Sequence, residues 1–175
     1  SDTPQDRQAA DRAFQFNNGI FFEPMFEGSY PADVLSAFGE HMNIRDGDLE
    51  TIHQPLDWWG LNYYTPLRVN ADTNASAVYP MAETVPPTPG PELTDIGWEV
   101  YEKGLSDLLK ELDTRYPLPD CYITENGACY NDEPKDGVVN DQRRIDYLEK
   151  HFGAIADARE AGVPFRTRFG EPRHS

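Results

Sequence analysis

The sequence predicts an α/β fold built on parallel strands, and three observations carry that prediction. Two short runs rich in aromatic or β-branched residues, at 58–65 and 121–124, read as strands. Amphipathic helical patterns follow each of them, over 98–115 and beyond Asn140, and a third extended piece begins at Val163. Strands separated by helices join in parallel through right-handed crossovers. Three strands are too few to close a barrel, and an eight-stranded one takes roughly 250 residues. The 175-residue chain is therefore expected to be part of a larger fold, with one compact unit as the default.

The elements follow in order. Tyr30 to Leu35 opens a short helix, with Pro31 near its start and Val34, Leu35 and Phe38 on one side. Trp58 to Thr65 is a strand closed by Pro66. Residues 70–91 are rich in Ala, Thr, Pro and Asn, with Pro86, Pro87, Pro89 and Pro91 crowded together, and read as a long loop. From Trp98 to Arg115 the residues Tyr101, Leu105, Leu108, Leu109 and Leu112 form an apolar helical stripe. Beyond Pro117 and Pro119, Cys121 to Thr124 reads as a short buried strand. Asn140 then caps a helix striped by Ile145, Leu148, Phe152 and Ile155 and ending at Gly162, after which 163–166 is extended.

Composition excludes several classes of partner. Fifteen basic residues against 31 acidic ones leave a formal charge of -16 spread along the chain, which repels nucleic acid and anionic membranes. No apolar run is long enough to span a bilayer, and Ser1 to Asp11 lack the basic and apolar blocks of a signal peptide. A cytoplasmic location is the expectation. Cys121 and Cys129 are too few for a disulfide framework, and both are expected to be reduced. His41, His53, His151 and His174 are scattered, and Pro134 and Lys135 break the oxygen pattern that a calcium loop over 131–137 would need. No metal or other cofactor is expected.

The candidate chemistry sits at strand ends, where α/β folds gather their active sites. Glu125 closes the second strand just before Asn126-Gly127, a turn-forming pair that would bend the backbone away and leave room above the carboxylate. Taken alone, a solvated acid at a strand exit is the commoner arrangement. Asn62 and Tyr64 share one face of the preceding strand at a spacing of two, so three polar groups converge on one edge. Taken singly, Tyr63 and Tyr64 fit a packing role and Asn62 a strand end.

Several separated strings then resemble glycoside hydrolase family 1, in the order of that family, and most of all its bacterial β-glucosidases. They are Phe22-Glu23-Pro24-Met25-Phe26-Glu27-Gly28-Ser29-Tyr30-Pro31, Asp57-Trp58-Trp59-Gly60-Leu61-Asn62-Tyr63-Tyr64-Thr65-Pro66, Gly97-Trp98-Glu99-Val100-Tyr101, Tyr116-Pro117-Leu118-Pro119 and Tyr122-Ile123-Thr124-Glu125-Asn126-Gly127. Asp136-Gly137-Val138-Val139-Asn140-Asp141 and Arg144-Ile145-Asp146-Tyr147-Leu148 extend the likeness, which runs from about Asp11 to Arg166.

The resemblance implies a partial (β/α)8 TIM barrel covering roughly the last three strands and their helices. It also implies a retaining β-glycosidase acting on terminal β-D-glucosides, with a small-molecule β-glucoside or oligosaccharide as substrate. Glu125 matches the family's nucleophile, which forms a covalent glycosyl-enzyme intermediate. Tyr64 matches the tyrosine that hydrogen-bonds this carboxylate and stabilises its ionised form, and Asn62 a polar residue of the glycone subsite. The 70–91 loop and Phe21, Phe22 and Phe26 would lie toward the aglycone side, with no catalytic role carried onto them.

Two departures accompany the matches. The family holds its acid/base in an Asn-Glu-Pro motif, and no such string occurs in these 175 residues. Phe22-Glu23-Pro24 lacks the Asn and falls in a different family segment, so Glu23 does not inherit the role. Residues 167–175 bear no likeness to the family's Trp-Ser run and sugar-binding motif. Residues 1–166 are accordingly expected to be the C-terminal part of a catalytic barrel, and 167–175 a divergent tail from truncation or frameshift. A retaining mechanism needs two carboxyl groups about 5–5.5 Å apart, so the chain is expected to be inactive alone, and strands left as exposed edges favour aggregation or a homo-oligomer. The rival readings are a 6-phospho-β-glucosidase fragment and a non-catalytic carbohydrate-binding protein. Gly60 to Tyr64 looks more like the unphosphorylated-sugar branch, and the helical stripes argue against the β-sandwich typical of binding modules.

Overall fold

The structure, a computed structural model, describes residues 3–71, 82–86 and 90–164. In chain order its elements are α1 (Pro4–Phe14), a π-helical turn (Gln15–Gly19), α2 (Ile20–Phe26), α3 (Ala32–Phe38), a 3-10 turn (Gly39–His41), α4 (Asp48–Ile52), β1 (Trp58–Asn62), β2 (Val69–Ala71), β3 (Ala82–Thr84), α5 (Glu102–Arg115), β4 (Asp120–Glu125) and α6 (Gln142–Glu160). The chain divides into two compact units, one of residues 1–55 and 67–89, the other of 56–66 and 90–175.

The first unit holds α1 to α4 and the β2–β3 pair. A capping box starts α1: the Thr3 hydroxyl accepts from the Asp6 backbone N–H, and the Asp6 carboxylate accepts from the Thr3 N–H. Two of the orphan donors at the helix start are thereby satisfied. Val69–Ala71 pairs antiparallel with Ala82–Thr84, so the segment expected to be one long loop carries a two-stranded ladder at its ends. Residues 72–81 and 87–89 of that expected loop lie outside the described residues.

The second unit is a β-α-β arrangement followed by a helix. β1 and β4 pair in parallel with α5 between them in sequence, and α6 packs on α5. Parallel pairing of strands joined by a helical connection is the predicted topology. On α5, Leu105, Leu109 and Leu112 are buried, as the stripe predicts, but the helix begins at Glu102 rather than Trp98. Hydrogen bonds from Thr94 N to Trp98 O and from Val100 N to Glu92 O hold residues 92–100 folded back on themselves instead.

The stripe assigned to α6 is corrected. Tyr147, His151, Ala154 and Ala158 are its buried residues, while Ile145 and Phe152 are exposed. Choosing the face by hydropathy alone passed over an aromatic, a histidine and two alanines, although the same helical spacing joins them. Its start carries Asp141 at the cap position, with no side-chain cap hydrogen bond, rather than Asn140. The 121–124 strand also differs from expectation: Cys121 is buried, but Tyr122 and Ile123 are only half-buried and Thr124 is exposed. Val163 and Pro164 join no strand, the Pro164 carbonyl accepting from Cys121 N at 3.4 Å, and residues 165–166 lie outside the described residues.

Candidate active site

β1 and β4 run in register from Trp58 opposite Asp120 to Leu61 opposite Ile123, and then the register slips so that Asn62 faces Glu125. Thr124 is the extra residue of this irregularity, the kind of bulge that re-aims a side chain at a sheet edge. Its side chain leans over β1, where the hydroxyl donates to Asn62 Oδ1 at 2.6 Å. Gly60 makes that possible, since a Cβ there would stand 2.8 Å from Thr124 Cγ2.

The shift brings Glu125 to Tyr64. The Tyr64 hydroxyl donates to Glu125 Oε2 at 2.6 Å, and the backbone N–H of Tyr63 donates to the Glu125 carbonyl at 2.9 Å. A donor that the phenol must keep to serve the carboxylate raises the Tyr64 pKa above the ordinary tyrosine value. Glu125 is exposed, Tyr64 partly so, and the Trp98 ring lies tilted beside Tyr64 with centroids 5.7 Å apart. The strand end thus offers an oriented carboxylate, an amide and an exposed aromatic face to solvent.

Behind this edge the neighbouring residue turns inward. Tyr63 is buried, and its hydroxyl donates to the Tyr101 carbonyl at 2.7 Å. Gly104 admits it, because a Cβ there would come within 2.4 Å of the Tyr63 oxygen. The Asn126 amide nitrogen donates to the Tyr63 carbonyl at 2.8 Å and to the Tyr147 hydroxyl at 3.1 Å, and that hydroxyl donates to the Tyr64 carbonyl at 3.4 Å.

The structure therefore brings together the predicted trio: Tyr64 binds Glu125 directly, and Asn62 faces Glu125 across the ladder while bonding Thr124. The expected Asn126-Gly127 turn does not form. Neither residue lies in a turn, Gly127 has no positive φ, and the Asn126 side chain is spent on Tyr63 and Tyr147 instead. Thr124, Trp98, Asn126 and Tyr147 were missed as members of the site. A glycine inside an aromatic strand signals a close approach, and Gly60 could have pointed to Thr124. Among the described residues no group of His, Cys, Asp and Glu is arranged to hold a metal ion. Both cysteines are free, Cys121 buried with its thiol pushed up to about 12 by desolvation.

The end of β4 thus presents a carboxylate with a phenol donor and an aromatic ring beside it, on the edge of a parallel sheet where α/β folds commonly gather their ligands. The sequence profile of glycosyl hydrolase family 1 matches residues 1–170, and the chain belongs to that family. It is 50% identical over 170 residues to a β-glucosidase of Agrobacterium sp., covering 97% of this chain and 37% of that protein. The structure of the virulence factor SghA from Agrobacterium tumefaciens superposes with a TM-score of 0.89 at 50% identity, over 95% of this chain and 37% of that one. SghA has also been solved with its substrate analog salicin. A family 1 β-glucosidase from Thermotoga maritima gives a TM-score of 0.82 at 36% identity, over 94% of this chain and 36% of that one. The chain spans little more than a third of the length of these relatives.

Proposed function

We propose that this chain carries the nucleophile half of a retaining β-glucosidase active site, with Glu125 as nucleophile, Tyr64 as its hydrogen-bond donor and Asn62 as a sugar-binding amide. The supporting observation is the 2.6 Å hydrogen bond from Tyr64 to Glu125 at the strand end, in a chain of this family. The hydroxyl occupies Oε2 and orients the carboxylate, leaving Oε1 to attack the anomeric carbon. As the C–O bond to the aglycone breaks, the glycone becomes an ester of Glu125, and water later releases the sugar with retention. Asn62 and the exposed Trp98 face would meet the substrate around the reacting carbon. The leaving oxygen must take its proton from a second carboxyl group. None of these 175 residues sits in an Asn-Glu-Pro string, so that acid/base is proposed to come from outside them. The 175 residues alone would be inactive or nearly so, as part of a (β/α)8 barrel in a cytoplasmic enzyme acting on terminal β-D-glucosides.

The test exploits a leaving group that needs no protonation. A 2-deoxy-2-fluoro-β-glucoside with a dinitrophenolate leaving group should form a stable ester, which mass spectrometry of peptides would place on Glu125 and which Glu125→Gln would abolish. Label on another carboxylate would refute the assignment of the nucleophile. Robust turnover of an aryl β-glucoside by the 175 residues alone, lost in Glu125→Gln, would refute the external acid/base.

A further inference from the structure

The Tyr64–Glu125 contact joins two residues at the ends of different strands, and both are exposed at least in part. A hydrogen bond between such groups stays short only if the backbones beneath them are fixed. β1 and β4 end at Asn62 and Glu125, so the regular ladder does not hold residue 64. One backbone bond, from Tyr63 N to the Glu125 carbonyl at 2.9 Å, continues past it, and two side chains complete the tie. Asn126 Nδ2 donates to the Tyr63 carbonyl, one residue before Tyr64, and Asn126 itself follows Glu125. The Tyr147 hydroxyl accepts from the same nitrogen and donates to the Tyr64 carbonyl. One amide and one phenol thus hold the backbone carbonyls of residues 63 and 64 and tie them to the residue that follows Glu125.

The orientation of that amide is fixed by chemistry. The Tyr63 carbonyl can only accept, so the nitrogen of Asn126 must face it. The price is an Asn126 Oδ1 that is buried without a hydrogen-bond partner among the described residues. An amide held with its oxygen unpartnered and its nitrogen used twice is held for what the nitrogen does. Tyr147 is equally constrained: it is 1% exposed and stacks on His151 with centroids 3.9 Å apart. His151 in turn donates from Nδ1 to the Tyr147 carbonyl at 2.8 Å, since a carbonyl can only accept, and its ring lies 6.0 Å from that of Tyr63. Desolvation raises the Tyr147 pKa, so its hydroxyl keeps its proton at neutral pH.

We infer that Asn126 and Tyr147 are positioning residues that clamp the backbone on both sides of the Tyr64–Glu125 pair and so hold the phenol on the nucleophile. This inference rests on the reading of Glu125 as nucleophile. Its test is a double-mutant cycle on aryl β-glucoside hydrolysis, run with these residues joined to a segment that supplies the second carboxyl. Tyr147→Phe keeps the ring on His151 and removes only the hydroxyl; it should lower kcat about tenfold with KM changed by less than about twofold. In a Tyr64→Phe background, where the clamp has no phenol left to hold, the same change should cost less than about twofold in kcat. Equal losses in the two backgrounds, or a lower Tm with kcat untouched, would overturn the inference. If Tyr147→Phe fails to fold, Asn126→Ser enters the same cycle, with the same non-additivity expected and simple additivity overturning the clamp. Activity that survives Glu125→Gln would sink the functional reading itself. Activity that Glu125→Gln abolishes, but Tyr147→Phe and Asn126→Ser leave at the wild-type kcat, would sink the clamp alone.

Discussion

Gly60 lies so close to Thr124 that a methyl group on residue 60 would stand 2.8 Å from Thr124 Cγ2 and 3.1 Å from its hydroxyl. Thr124 is short and β-branched, with few rotamers to escape into. Gly60→Ala should therefore push it off Asn62 and cost about 1–3 kcal/mol of stability, the usual range for overpacking. A urea-unfolding midpoint measures the loss. Adding Thr124→Gly should recover part of it, because the clash is with that side chain, and no recovery in the double variant would show that the strain lies elsewhere.

Tyr63 makes stability sensitive to alkali. Burial, with Tyr147, Tyr101, Glu99 and Glu102 adding to it, pushes the Tyr63 phenol above the ordinary tyrosine range. The folded state therefore favours the protonated phenol, and the unfolded state releases its proton first, near pH 10. Its contribution is fully present below about pH 10 and is lost as pH rises from there toward the folded value. Unfolding free energies from pH 8 to pH 11 should fall, and Tyr63→Phe should flatten the fall while costing about 1 kcal/mol at neutral pH for the hydrogen bond to the Tyr101 carbonyl. Some slope should survive in the variant, since Tyr64, Tyr130 and Tyr147 are raised as well. An unchanged slope would exclude Tyr63 as a source.

The acid side belongs to His151. Desolvation lowers its pKa, against smaller raising effects from the Tyr147 backbone and Glu102 and a further lowering by Lys150. Its Nε2 is buried without a partner among the described residues, so a second ring proton would have nothing to bond. The unfolded chain binds a proton near pH 6.5 and the folded one only at lower pH. Stability from the neutral ring is complete above about pH 6.5 and declines as pH falls through the folded value. Comparing thermal unfolding at pH 7.5 and 5.5 should show the drop, and His151→Met should reduce it; equal drops in the two proteins would assign the acid sensitivity to other groups.

The parts of this architecture that were legible in the sequence share one property: their pattern is local. Leu105, Leu109 and Leu112 repeat at helical spacing and are buried, and the strand ending at Glu125 announces itself by composition and position. Asn62, Tyr64 and Glu125 could be grouped by family likeness, whereas the alternation expected to run to Thr65 stops with β1 at Asn62. What escaped depends on contacts 62 to 83 residues apart, such as Thr124 with Asn62, Asn126 with Tyr63 and Tyr147 with Tyr64. Asn126-Gly127 carries a strong local turn signal, yet the tertiary demand of the Tyr63 carbonyl won. On α6 the bulky apolar residues drew the prediction to the exposed face, while a tyrosine and histidine whose polar atoms find work inside took the buried one.

That exposed face leads to a last prediction, on association. Ile145 and Phe152 are two turns apart on α6 and are 48% and 53% exposed, and Trp58 at the start of β1 is 54% exposed beside Tyr122. Two residues seven apart fall on one side of a helix, so both mark one exposed apolar stripe. Exposed apolar patches of this kind associate, or are covered by a partner surface. Light scattering over a dilution series of the 175 residues should show a mass that rises with concentration. Ile145→Lys with Phe152→Lys should lower it by adding charge to the stripe without touching the buried Tyr147 and His151. A protein that stays monomeric throughout would remove the stripe as an association surface, and one that associates equally well in the double variant would move the contact to the Trp58 edge.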